Sequence, residues 1–187
     1  MLDYINIINQ RVSYHAHELT APAPSPDDLM TILSTVTSAP DHGHLCPWHI
    51  LIITPERMDN FCDQMLQHWQ AHHPEEGKTG HAKRLLNYIR QAPMMILVSA
   101  KVTPNHPVCE SDQVFAAAAA CQNILLASHQ LGYGAIWYST DVVQDAKLKS
   151  LFGLTAADQP VGFIMLGSIV KTKQIKRPEV ASFCHYW

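Results

Sequence analysis

The 187-residue sequence has no block of like charge and no acidic or polybasic tail: 13 Lys and Arg stand against 16 Asp and Glu, a formal charge of −3. With no basic stripe to follow a phosphate backbone, nucleic acid is not an expected partner. Long apolar runs are missing too. The longest, residues 114–121, is stopped by Gln122-Asn123, well short of the ~20 residues a membrane-spanning helix needs. Met1-Leu2-Asp3 is acidic and amphipathic, not a positive segment leading into a greasy run and a cleavage site, so a cytoplasmic protein is expected. Cysteine pairs are absent: Cys46, Cys62, Cys109, Cys121 and Cys184 are odd in number, scattered and without a CxxC spacing. That excludes a disulfide framework or zinc knuckle and predicts reduced thiols. The dinucleotide fingerprint is lacking as well. Gly132-Tyr133-Gly134 follows a helix and enters a strand, whereas that fingerprint needs strand then helix. No catalytic dyad or triad is visible.

What is present reads as one domain over residues 1–187, long enough for a single well-buried core. Leu2, Ile5, Ile8 and Val12 recur at helical spacing and predict an amphipathic helix ending near Arg11. After Ala21-Pro22-Ala23-Pro24, Ser25 is suited to an N-cap, Pro26 to the first turn and Asp28 to the helix dipole, giving a helix to about Ser38. Residues 49–54 form a buried strand. Residues 55–73 form a helix with Met58, Phe61, Met65, Leu66 and Trp69 on one face, closed by a break at 74–80. A helix to Gln91, a strand over 94–102 and a loop over 103–107 follow. Residues 112–131 are apolar almost all round, which places that helix in the centre of the fold or across a subunit interface. Gly132 suits its left-handed cap. Then come a strand at 135–138, a helix at 141–151 and a strand at 161–166. Crossovers long enough for parallel pairing predict an α+β sandwich with a central mixed sheet flanked by helices. The aromatic tail, with Phe183, Tyr186 and Trp187, is expected to pack on the body or on a partner.

Three segments carry candidate chemistry. Arg11-Val12-Ser13 offers a guanidinium fork and a hydroxyl to an anionic or carbonyl-bearing ligand, although an Arg at a helix C-terminus also satisfies the macrodipole. The stretch from Ala39-Pro40-Asp41-His42 to Pro47-Trp48 concentrates Pro, Gly and His between a helix and a strand, where loops carry function. His42, His44 and His49 invite a metal, but no thiolate or carboxylate spacing completes a ligand set. His68 and His72, one turn apart, are read as a solvated helix face. In Gly132-Tyr133-Gly134-Ala135-Ile136-Trp137-Tyr138-Ser139 the glycines allow close approach to a ligand, or simply join a helix cap to a core strand.

In this order and spacing, together with Gln122-Asn123-Ile124-Leu125-Leu126-Ala127, Val161-Gly162-Phe163 and Leu166-Gly167, these segments resemble the nitroreductase family, particularly its small NAD(P)H nitroreductases of the YdjA type. The resemblance spans residues 9–166. It implies a nitroreductase-like fold in a homodimer, the long helix at its interface, with FMN sites built from both chains. It implies ping-pong transfer from NAD(P)H to a small-molecule acceptor, nitroaromatic or quinone-like. It assigns FMN contacts to Arg11, Val12 and Ser13, and gives His42 the FMN bound mainly by the partner. Trp137, Tyr138 and Ser139 would line the isoalloxazine, and Ala127, Ser128, His129, Gln130, Leu131 and Gly132 would match the nicotinamide-cofactor segment.

The sequence also departs from that pattern. Val12 replaces the second of two arginines, His15 the basic residue two positions after the Ser, and Ser38 and Tyr138 two further arginines. Each lost charged hydrogen bond costs about 1.5–3 kcal/mol, so FMN binding should be weaker unless Lys171, Lys173, Lys176 or Arg177 compensates. The alternative is a non-catalytic homodimer of the same fold with weak or lost FMN binding.

Overall fold

A computed structural model describes residues 4–75 and 80–187. Its centre is a five-stranded sheet in which β5 (Gln159–Ile169) pairs with β3 (Met94–Ala100), β4 (Gly134–Tyr138) and β1 (Leu19–Thr20), while β2 (Trp48–Ile53) pairs with β3. Every strand pair is antiparallel. The mixed character expected from the crossovers reduces to one parallel bridge between Ser13 and Ala135. Long connections permit parallel pairing without imposing it.

The sheet is sandwiched between helices, so its strands read as apolar runs rather than alternating ones. All seven residues of β3 are buried. Its odd positions Met95 and Leu97 join a core built with α3 (Pro55–His72) and α4 (His81–Ile89); its even positions Met94, Ile96 and Val98 join a second core under α5 (Glu110–Gln130) and α2 (Pro26–Ser34). The period of two in the strand therefore assigns each residue its layer, and the α+β sandwich is as predicted.

Local signals hold closely. Ser25 caps α2, its hydroxyl accepting from the Asp28 N–H at 3.2 Å, and the helix tightens into a 3-10 turn, Thr35–Ser38. Gly132 ends α5 at φ 85°. Gly134 is glycine for packing, not for a ligand, because a Cβ there would lie 2.7 Å from Leu19 Cδ2. All five cysteines are free, and burial pushes the Cys62 and Cys121 thiols up to about 11 and about 12.

One expectation is corrected. Residues 141–151 are two elements, α6 (Asp141–Gln144) and a 3-10 helix (Ala146–Phe152), because Asp145 is extended and its carboxylate accepts from the Lys147 N–H at 2.6 Å, capping the second. Of the two placements expected for the aromatic tail, body or partner, the body of its own chain is not the one: Phe183, Tyr186 and Trp187 are exposed. The first helix, α1 (Tyr4–Gln10), buries none of its residues, and Tyr4 and Ile5 are 70 % and 66 % exposed. Leu2, and most of the predicted break at 74–80, lie outside the described residues.

Candidate functional site

Past α1 the chain runs extended beside β4, where the Tyr14 N–H donates to the Ala135 carbonyl at 3.1 Å. Extended backbone sends alternate side chains to opposite sides. Val12, Tyr14 and Ala16 are buried, at 6 %, 4 % and 0 % exposure; Arg11, Ser13 and His15 lie on the outer side, with Ser13 and His15 exposed. The Arg11 Nη1 donates to the Ser13 hydroxyl at 3.3 Å. Val12 therefore contributes no side chain to this face.

The tail after β5 returns across the same segment. The Arg177 Nη2 donates to the Arg11 carbonyl, and Lys173 pairs with Glu18 at 2.5 and 2.8 Å while lying over the Tyr14 ring. Burial and the neighbouring Arg177 lower the Arg11 pKa. Among the described residues neither guanidinium meets a carboxylate. Two adjacent cations beside a hydroxyl are suited to an anion: a phosphate would relieve their repulsion and accept their hydrogen bonds.

Beside it, Tyr138 at the end of β4 packs against Tyr88 of α4, ring centroids 5.4 Å apart. The Tyr88 hydroxyl lies 3.1 Å from His15 Nδ1 and accepts from the Ala16 N–H at 3.2 Å. Burial, then Tyr88 and Asp141, raise the Tyr138 pKa, keeping its phenol protonated at neutral pH. Ser139 is exposed, its hydroxyl accepting from Gln144 Nε2 at 3.3 Å. Trp137 turns elsewhere: its indole N–H donates to Val161 O at 3.3 Å, and its ring covers Gly162, where a Cβ would meet Trp137 Cδ1 at 2.8 Å.

The end of α5 divides between two depressions. His129 and Gly132, with Val12, Tyr14 and Lys173, line a cleft of about 680 Å³ on the inner side of the 11–15 segment. Burial and Arg11 lower the His129 pKa, favouring its neutral imidazole. Ala127 and Gln130 line a second groove of about 580 Å³ with Ile7, Ile8 and Ser38, between α1 and α5. Leu131 is 39 % exposed. Ser128 is wholly buried, donating its hydroxyl to Ile124 O at 2.7 Å; that leaves its side chain a role inside the helix rather than toward a ligand. Ser38, facing the α1/α5 groove, does not join the Arg11 cluster's lining.

His42 is not brought to this cluster. It sits in a 3-10 turn, His42–His44, with Nδ1 3.0 Å from Asp112 at the start of α5, whereas Arg11 lies near His129 at the other end. From residue 112 to residue 127, α5 rises about 22 Å. His44 shares the turn, while His49 lies in β2 with its Nδ1 buried and unpartnered. His68 and His72 bond backbone carbonyls, Lys147 O and His68 O, and among the described residues no three His, Cys, Asp or Glu side chains are placed to hold a metal.

The Nitroreductase family pattern matches residues 8–168. Over 183 residues, 97 % of either chain, the sequence is 30 % identical to the Escherichia coli (strain K12) protein named Putative NAD(P)H nitroreductase YdjA. The chain belongs to the nitroreductase family. By that membership the protein is an oxidoreductase. In fold it is similar to a nitroreductase-like family protein of Bacillus cereus, with a TM-score of 0.82 at 23 % identity over 100 % of this chain and 97 % of that one. It is also similar to a Desulfovibrio desulfuricans protein of the nitroreductase type solved in complex with FMN, with a TM-score of 0.75 at 25 % identity over 100 % and 98 %.

Within this nitroreductase-family chain, two site residues were beyond sequence reasoning. Arg177 was one of four basic tail residues with nothing to single it out. Tyr88 was one more residue on a helix, and only the fold brings it to His15, 73 positions away.

Proposed function

We propose that this single domain is an FMN-dependent oxidoreductase, cytoplasmic and homodimeric, that passes reducing equivalents from NAD(P)H to nitroaromatic or quinone-like acceptors. The observation that carries the reading is the Arg11–Arg177 pair beside Ser13, two adjacent cations that meet no carboxylate among the described residues. These donors fit the phosphate of FMN, and Arg177 takes over charge that Val12 does not supply. His15, Tyr138 and Ser139 continue the polar face from that subsite and suit the carbonyl and ring-nitrogen edge of an isoalloxazine.

When bound, FMN supplies the redox chemistry, accepting a hydride from NAD(P)H and yielding it to the acceptor in a separate half-reaction. The chain's own part is to bind and orient. Tyr138 keeps its proton and offers a neutral hydroxyl, Gln144 fixes the Ser139 hydroxyl, and neutral His129 gives the cleft at the end of α5 an uncharged wall for a nicotinamide ring. No side-chain acid or base is needed, in keeping with the absence of a triad.

The homodimer draws support from three surfaces: the apolar side of α1, Phe115 on the outer face of α5, and the aromatic tail, all exposed in the single chain. His42 belongs to the same reading: its place beside Asp112, at the end of α5 away from Arg11, suits a residue that serves the site of a second chain rather than its own.

The test is a visible spectrum of protein loaded with excess FMN and desalted, followed by NADH and NADPH oxidation with a quinone and with a nitroaromatic. Flavin absorbance with parallel initial-velocity lines is expected. No flavin binding at saturating FMN would leave the flavin-free homodimer, a reading favoured by the burial of Val12.

A further inference from the structure

We propose that Tyr88, on α4, is a positioning residue that fixes His15 as the tautomer protonated on Nε2, so that the imidazole presents an N–H donor on the Arg11–Ser13 face. The inference rests on the proposed cofactor face for its functional meaning, but its geometry stands on this chain alone.

The argument is an inventory of donors. A backbone N–H only donates, so the Ala16 N–H, 3.2 Å from the Tyr88 oxygen, occupies one of its lone pairs. The phenol retains one proton and one lone pair for His15 Nδ1 at 3.1 Å. If Nδ1 carried the proton it would take that lone pair, and the phenol's own proton would have no acceptor among the described residues. If Nδ1 is the acceptor, the phenol proton is used, both lone pairs of the contact are accounted for, and the only N–H left without a protein acceptor is the Nε2–H of the exposed ring. Half-buried donors are costly to leave unpaired, so the second arrangement is favoured. A neutral imidazole that accepts at Nδ1 must carry its proton on Nε2.

The ring is held for this purpose from several sides. Its face lies parallel to His17, centroids 5.7 Å apart and planes 5° apart. Its backbone N–H donates to Glu18 Oε2 at 2.7 Å, and Glu18 is itself fixed by Lys173. Tyr88 in turn packs on Tyr138. His15 Nε2 has no partner among the described residues, and the exposed ring shares its side of the chain with Arg11 and Ser13. A fixed N–H there matches a carbonyl oxygen, such as one on the pyrimidinedione edge of a flavin.

The experiment is ¹H–¹⁵N long-range correlation of imidazole nitrogens in ¹⁵N-histidine-labelled full-length protein, at a pH where the rings are neutral, with His15 assigned by its loss in His15→Gln. The expected wild-type pattern is a protonated Nε2 and an unprotonated Nδ1, collapsing in Tyr88→Phe to averaged tautomers. A protonated Nδ1 in the wild type, or a Tyr88→Phe pattern identical to wild type, overturns the proposal. The wild-type spectrum decides even if Tyr88→Phe folds poorly. In parallel, Tyr88→Phe should weaken FMN roughly five- to tenfold by flavin-fluorescence titration, the loss of about one ordinary hydrogen bond. Wild-type protein that shows the Nε2 tautomer yet binds no FMN would refute the cofactor reading and leave the role of Tyr88 standing.

Discussion

Replacing Arg177 with alanine removes one of two guanidinia at the proposed phosphate subsite and nothing from the core, since the tail residue is exposed. A charged hydrogen bond to an anion contributes about 1.5–3 kcal/mol, so FMN should bind roughly 10- to 150-fold more weakly. The fold should hardly notice. Exposed substitutions stay within about 0.5 kcal/mol, a shift of about 2 °C or less in Tm for a chain of this size, and relief of the repulsion felt by Arg11 works in the stabilising direction. Flavin-fluorescence quenching gives the Kd for FMN, and the same titration with riboflavin supplies the control, because riboflavin has no phosphate. Arg177→Ala should separate the two ligands, weakening FMN and sparing riboflavin. Arg11→Ala should do likewise, and the double variant should depart from additivity by about 0.5 kcal/mol or more, as expected of groups sharing one partner. If riboflavin weakens as much as FMN, or FMN changes less than about threefold, the subsite has been misread.

Other consequences are simpler to state. Sedimentation at micromolar concentration should find a dimer whose Tm falls on dilution; Ile5→Glu, or removal of the aromatic tail, should shift it toward monomer. Gly134→Ala should destabilise by about 1–3 kcal/mol in urea melts, since the added Cβ lands 2.7 Å from Leu19 Cδ2 and 3.3 Å from Tyr14 Cδ2. For Asp158, burial opposes ionisation but is outweighed by hydrogen bonds from Thr155 and Val102, leaving its carboxyl below the usual range. A depressed folded value means its stabilisation is present above the unfolded carboxyl's ordinary pKa of about 3.9 and is lost as pH falls through the folded one. Urea midpoints measured from pH 7 down to pH 3 should therefore drop below about pH 4, and Asp158→Asn should flatten that limb.

Local signals in this sequence survived folding because they are decided locally. Ser25-Pro26, Gly132 and the apolar runs of β3 and β5 each specify a cap, a left-handed turn or a buried strand within a few residues. Strand direction did not survive, because connection length limits pairing without choosing it, and neither did the helix over 141–151, which the Asp145 cap divides. At the site, Arg11 and Ser13 were legible as a pair two residues apart. Val12 between them was read as a backbone contact; its side chain is turned inward. The partners that complete the cluster come from 73 and 166 positions away, Tyr88 on His15 and Arg177 on Arg11, and no spacing rule reaches so far. The buried hydroxyl of Ser128 shows the converse: a residue in the right segment can face the wrong way.

The length of α5 has a genetic corollary. If His42 at one end serves the neighbouring chain's site while Arg11 near the other end serves its own, a chain lesioned at His42 and a chain lesioned at Arg11 fail for different reasons. Each alone forms dimers with two broken sites. Unfolded together and refolded at random, half of the dimers are mixed, and in a mixed dimer both lesions fall on one site and spare the other. About a quarter of all sites are then intact, so two inactive preparations would together recover about a quarter of wild-type turnover.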